Sequence, residues 1–485
     1  MKAIYPILIL IIFNGCGNNR TNQNKIENDL ATYNLKTAIQ TGINILQEAP
    51  YNLSGKNQKV AIVDGGKIKS DHKAFLEQNG TSRVFLRTTA QEGEHATHVA
   101  GTIGANDFDS NAKGMAPNSK LYSYSYNDSY FASSIKKAFE DDNIYISNHS
   151  YGVANKEYLG EYNSLAVDLD KAIYANNNLI ACIAAGNDRG NLEYGDYQII
   201  KGPSNAKNIL TIGALNDSGD ELAYFSSTGP VFDGRVKPDF TIRGSNIYSV
   251  GTDNNESYQY MQGTSMATPA ATGTIALLNE YYQKILDDNS SHIRFDQIKS
   301  ILMNSATDLG NIGPDYMYGY GKINAKKAAD IISTISDDKP LIISSEIQND
   351  GFEKYTLNIT ENNTSFRASI AWADLAGESN SDKTLVNDID MWISDKNRNI
   401  IYPYRLDRDN PTLLAMKDQK NHTDNGEIIE SILPVGEYYL YIKGEAIQNI
   451  QQFTVVTTSP MTLEKKESTE LELNEFMNIV LESKS

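Results

Sequence analysis

Between about residues 38 and 336, short apolar runs alternate with segments whose apolar positions recur at helical spacing. Residues 59–64, 120–126, 144–150, 178–186 and 209–215 are continuously apolar enough to predict buried strands. Residues 133–141, 165–177 and 265–282 predict helices. Strand–helix alternation of this kind predicts an α/β unit, with a parallel sheet covered by helices on both faces. The pattern changes after Asp337. Residues 340–347, 353–359, 366–373, 388–394, 400–404, 427–433, 436–443 and 452–458 are short strand-like segments, parted by Gly, Asn, Asp and Pro without helical stretches. They predict a C-terminal all-β sandwich of jelly-roll-like type.

The ends read differently. Lys2 precedes a largely apolar run to Phe13 that is too short to span a bilayer, and Gly15-Cys16 follows. This resembles a bacterial lipoprotein signal, which implies cleavage before Cys16, lipidation of that cysteine and membrane attachment without a spanning helix. Plain secretion is the outcome if Cys16 is not lipidated. The expected layout is a signal peptide over 1–15, a polar Asn-rich tether over 16–37, a catalytic domain over 38–336, the sandwich over 337–460 and a charged tail over 461–485.

Composition narrows the function classes. A net charge of −18 argues against nucleic acid, whose phosphates require clustered Lys and Arg. The two cysteines, Cys16 and Cys182, exclude a disulfide framework and a cysteine-based zinc site. Cys182 lies inside an apolar run and reads as a small buried hydrophobe.

Three segments carry chemistry. Val60-Ala-Ile-Val-Asp64-Gly-Gly66 is an apolar strand that ends in a carboxylate, where open α/β folds gather functional groups. Gly93-Glu-His95-Ala-Thr-His98-Val-Ala-Gly starts a helix near His95. Gly263-Thr-Ser265-Met-Ala-Thr-Pro puts Ser265 in a helix's first turn, where free N–H groups favour negative charge. Singly these read as a turn carboxylate, a pair of metal-binding histidines and an N-cap serine. The chain has six histidines and no His-Glu-x-x-His, which leaves a zinc hydrolase short of ligands.

Together and in this order, the three segments resemble the subtilase family of serine peptidases. The resemblance implies a subtilisin-like catalytic fold, with Asp64, His95 and Ser265 as its triad and His98 as a structural histidine. Ala96 stands where the family usually has Gly. Ala184-Ala-Gly-Asn187 matches the family's oxyanion motif and implies that the Asn187 amide donates to the oxyanion. Ser150, Tyr151 and Gly152 match the segment that pairs with substrate backbone, and Asn127 belongs to the opposite wall. The Tyr-rich run 120–130 reads equally as an aromatic cleft lining or as core.

The resemblance is nearly continuous from about residue 38 to 336, and residues 370–374 and 384–391 resemble the sandwich of one subtilase branch. Catalysis then requires no cofactor. Asp388 and Asp390 are candidate ligands for a structural calcium ion, with turn formation as the plainer alternative. No apolar pattern between Cys16 and the catalytic domain suggests a folded propeptide. The expected function is endoproteolysis of extracytoplasmic proteins or peptides by a monomer. The alternatives are dedicated maturation of one exported peptide and a non-catalytic binding lipoprotein.

Overall fold

A computed structural model describes residues 34–153, 156–191 and 193–464. Seven strands form its first sheet: β1 (Lys59–Asp64), β2 (Val84–Leu86), β3 (Lys120–Ser125), β4 (Ile146–His149), β5 (Ile180–Ala184), β6 (Leu210–Leu215) and β7 (Phe240–Arg243). Their order is β2-β3-β1-β4-β5-β6-β7, and every pairing is parallel. Alternation along β1 explains why the run is apolar throughout. Val60 and Ile62 enter the main core, while Ala61 and Val63 join Tyr122, Tyr124, Ala138 and Ile144 on the other face.

The helices are α1 (Asn34–Thr41), α2 (Ile43–Gln47), α3 (Glu94–Gly104), α4 (Phe131–Asp142), α5 (Ser164–Ala175), α6 (Thr264–Leu286), α7 (Phe295–Ser305) and α8 (Ala325–Ile332). α3 and α6 pack together on one face of the sheet, and α4 and α5 cover the other. A hairpin of β8 (Ile247–Val250) and β9 (Tyr258–Met261) packs beside α3.

The remaining strands are β10 (Ile342–Gln348), β11 (Phe352–Ile359), β12 (Thr364–Ala371), β13 (Asp388–Asp395), β14 (Ile400–Ile401), β15 (Gly426–Leu433), β16 (Gly436–Ala446), β17 (Ile450–Thr457) and β18 (Met461–Glu464). They make two antiparallel sheets, β10-β17-β12-β15 and β14-β13-β16-β11-β18. Tyr355, Met391 and Leu440 from one sheet meet Phe366, Ile370 and Phe453 from the other in a single apolar core. The chain is therefore an α/β unit followed by an all-β sandwich.

The sequence pattern misses several elements, each for a physical reason. β18 begins the segment expected to be a charged tail; it pairs with β11 through backbone bonds that a mixed sequence can make. α1 starts inside the expected tether, and its buried positions are Asn34, Thr37, Ala38 and Thr41, a mostly polar set that carries no apolar period. Every residue of α7 is buried although five are Asp, Gln, Lys, Ser or Asn between Asp296 and Asn304.

The setting of α7 explains this. It lies between the α/β unit and the sandwich, where Ser300 bonds Ser369, Asn304 donates to the carbonyls of Arg367 and Val456, and Lys299 donates to Asn425 at 2.8 Å. Buried polar groups must find partners, and these find them across the interface. Lys207 is the extreme case. It is fully buried, pairs with Asp374 and also donates to the carbonyls of Leu375 and Thr384. Asn208 exchanges hydrogen bonds with the backbone of Asp374 at 2.7 and 2.9 Å. Ile342, Ala371, Ile428 and Val456 of the sandwich belong to the same apolar cluster as the parallel sheet.

Removing one member of a fully buried ion pair strands the other's charge, at a cost of about 3–5 kcal/mol. Lys207→Met should therefore destabilise the chain by about that amount, read as a lowered midpoint in denaturant unfolding.

Candidate active site

Three strand ends and two helix starts converge at one edge of the parallel sheet. β1 delivers Asp64, β4 runs into Ser150, and β5 runs into Asn187, because parallel strands present all their carboxyl ends on one side. Two close approaches bring the helices in. A Cβ on Gly66 would lie 2.7 Å from the Cα of Gly93, so only glycine lets the turn after β1 touch the start of α3. Gly263, at φ 149°, lets the chain enter α6 directly below the Asn187 side chain.

His95 sits in the first turn of α3, and its Nδ1 lies 2.8 and 3.0 Å from the two carboxylate oxygens of Asp64. Asp64 is buried and also accepts the Gly65 N–H at 2.7 Å. Burial opposes charge on the imidazole, but the Asp64 hydrogen bond and charge outweigh it, so the His95 pKa lies above its ordinary 6.5. His98 has no such partner. It is fully buried with Nε2 3.0 Å from the Ile247 carbonyl, and burial lowers its pKa to about 4, which keeps it neutral. Ala96 is buried, at 1% exposure.

Ser265 lies in the first turn of α6, and its environment contains a feature that sequence reading overlooks. Pro269 stands four residues on and has no N–H to offer the Ser265 carbonyl. Ser150 Oγ donates to that carbonyl at 2.9 Å, while Ser265 Oγ donates to the Ser150 carbonyl at 3.1 Å. Among the described residues, this is the partner of the Ser265 hydroxyl, in place of His95. The Ser-x-x-x-Pro spacing is the signal that points to a carbonyl in need of an outside donor.

Asn187 is oriented by the residue before Ser265. Its Oδ1 accepts the Thr264 N–H at 2.8 Å and the Thr264 hydroxyl at 3.0 Å, which turns Nδ2 outward toward the cavity it shares with Ser265. That cavity, of about 80 Å³, is bounded by Tyr151, Gly152, Ala185, Asp188, Lys201 and Ser265. Lys201 and Asp188 pair at 3.0 Å within its wall, a contact between loops that no local pattern signals. An adjoining cleft of about 350 Å³ holds Asp64, His95, Ser150, Tyr126 and Tyr151.

The other expected residues are distributed unevenly. Ser150, Tyr151 and Gly152 border these cavities. Asn127 is exposed, and its side chain reaches the Gly65 carbonyl at 3.5 Å, while Tyr126 beside it lines the cleft. Tyr122 and Tyr124 of the Tyr-rich run are core. Asp388 and Asp390 lie in β13 of the sandwich, beside Lys420 and His422. Cys182 is buried in β5, and Cys16 lies outside the described residues.

The sequence model of the subtilase family matches residues 55–321, more than half of the chain. The chain belongs to the subtilase family. It is a serine endopeptidase, of a family that needs no cofactor for catalysis. Subtilisin DY of Bacillus licheniformis is 31% identical over 57% of this chain and 92% of its own length. Minor extracellular protease Epr of Bacillus subtilis (strain 168) is 29% identical over 59% of this chain, which spans 41% of that protein. The solved structure of prenylagaramide maturation protease PagA is 24% identical, covering 60% of this subtilase and 98% of that chain with a TM-score of 0.47.

The Asp64–His95 contact predicts a titration. The His95 ring of the wild type should titrate above 6.5 by NMR. In Asp64→Asn, burial remains and the opposing charge is gone, so the midpoint should fall below the wild-type one.

Proposed function

We propose that this subtilase hydrolyses peptide bonds of extracytoplasmic proteins or peptides, with Ser265 as nucleophile, His95 as base, Asp64 as its orienting carboxylate and Asn187 as oxyanion donor. The observation that carries this reading is the convergence at one sheet edge of an Asp64-bound imidazole, the Ser265 hydroxyl and an outward-turned Asn187 amide.

Each role follows from the chemistry of its group. A serine hydroxyl is a weak nucleophile at neutral pH and needs a base within reach. Ser265 Oγ turns from the Ser150 carbonyl to His95 Nε2, gives up its proton there and attacks the substrate carbonyl carbon. Asp64 holds Nδ1–H and so presents Nε2 unprotonated to the serine; it then stabilises the imidazolium. The oxyanion is met by Asn187 Nδ2 and by the Ser265 N–H, which has no intrahelical acceptor in a first helical turn. His95 returns the proton to the leaving amine, and water repeats the sequence on the acyl-enzyme.

Ser150, Tyr151 and Gly152 offer an edge along which extended substrate adds as a strand. A Cβ on Gly152 would meet nothing within 4 Å, which keeps that edge open. The cavity of about 80 Å³ beside Ser265 suits a small substrate side chain before the scissile bond.

Placement outside the cytoplasm rests on the lipoprotein-like segment ending at Cys16. A relative named as an extracellular protease accords with it. Among the described residues, no helix is long and apolar enough to cross a membrane.

A fluorophosphonate probe should label the wild type and leave Ser265→Ala unlabelled. Asn187→Ala should lower kcat by about 10²–10³, the loss recorded for the corresponding donor in subtilisin itself, with little change in KM. Equal labelling of Ser265→Ala, or unchanged kcat in Asn187→Ala, contradicts the assignment.

A further inference from the structure

Far along the chain from the cleft, the sandwich encloses more negative charge than its neighbours neutralise. Asp388 and Asp390 alternate onto one side of β13, and both are buried, at 5% and 0% exposure. Glu427 of β15 is 1% exposed, and its Oε2 accepts the Met391 N–H at 2.7 Å, which brings its carboxylate beside Asp390. The loop before β15 adds Lys420, whose ammonium is 2.7 Å from Asp390 Oδ2 and 3.1 Å from Glu445. His422 on the same loop has Nδ1 2.9 Å from Asp388 Oδ2 and 3.5 Å from Asp390 Oδ1. Lys443 completes the group by pairing with Glu445.

Four carboxylates thus face two ammonium groups and one imidazole. The shortage shows in the individual oxygens. Asp388 Oδ1, Asp390 Oδ1 and Glu427 Oε1 are each buried without a hydrogen-bond partner. A buried carboxylate oxygen left without a hydrogen bond is costly, and neighbouring ones repel each other as well.

The donor atoms of Asp388, Asp390 and His422 lie within 4.8 Å of one another. A tetrahedral zinc ion with bonds of ~2.0 Å needs donors roughly 3.3 Å apart, a spacing the two His422 contacts already approach. The imidazole also decides the kind of cation. Calcium takes hard oxygen ligands, six to eight of them as a rule, whereas imidazole with two carboxylates suits zinc and its neighbours. The sequence directs attention to Asp388 and Asp390 as calcium ligands; His422, 32 residues beyond Asp390, changes the metal.

We propose that Asp388, Asp390 and His422 form a structural site for a zinc-class divalent cation. The ion would fasten the loop carrying His422 to β13. That loop also touches the catalytic unit, where Asp424 accepts the Val236 N–H at 2.7 Å. The ion therefore braces the sandwich where it meets the peptidase.

The test uses the full chain carrying Ser265→Ala to prevent self-digestion, freed of metal with EDTA. Added Zn²⁺ should bind at one ion per chain by elemental analysis and raise Tm, while Ca²⁺ at equal concentration leaves Tm unchanged. Adding His422→Ala should weaken Zn²⁺ binding at least tenfold and remove the rise, with the metal-free Tm close to the parent's. Cobalt(II) bound to the parent should give the intense visible absorption of a tetrahedral site, a readout that needs no further substitution. Absence of zinc binding, equal zinc affinity without His422, an equal Tm rise with Ca²⁺, or a weak octahedral cobalt spectrum would each overturn the proposal.

Discussion

The parallel alignment of seven strands is the constraint on which the rest of this molecule depends. Antiparallel neighbours would send Asp64, Ser150 and Asn187 to opposite edges of the sheet. With all strands running one way, three residues far apart in sequence arrive at one edge, and two helix starts fill the space between them. Parallel pairing has a requirement of its own, since both sheet faces must be covered. The nearly continuous burial of β1 and β3 to β7, and the small-residue packing of α6 beneath them, meet it.

Within that frame, the site is held by reciprocal bonds between neighbours rather than by any single strong contact. Pro269 removes one helical hydrogen bond at the carbonyl of Ser265. Ser150 supplies the replacement, so the strand-end residue and the helix-start residue are fixed relative to each other. Thr264 performs a similar task for Asn187. Ser265 and Asn187 are thus oriented by backbone and hydroxyl contacts to Ser150 and Thr264.

Much of this was legible in the sequence, and the boundary of what was legible has a physical cause. Apolar runs announce strands buried on both faces, so β1, β3, β4, β5 and β6 were readable, as were the site segments attached to their ends. Elements held by polar or backbone contacts leave no such period. α7 is buried with Asp296, Lys299, Ser300 and Asn304 in its sequence because partners across the interface satisfy them. β18 pairs through its backbone, and α1 buries threonines. The His422 contact depends on a loop returning to β13, which no local pattern encodes.

The interface around Lys207 and α7 also bears on how such a peptidase survives its own kind. Asp337, Asp338 and Lys339, which join the two units, are exposed and open to attack. A cut there would sever the chain and little else. The buried Lys207–Asp374 pair, the Asn208 and Asn425 bonds and a shared apolar cluster would still bind one fragment to the other. In a milieu of proteases, the nicked molecule would persist as a two-chain enzyme with its cleft intact.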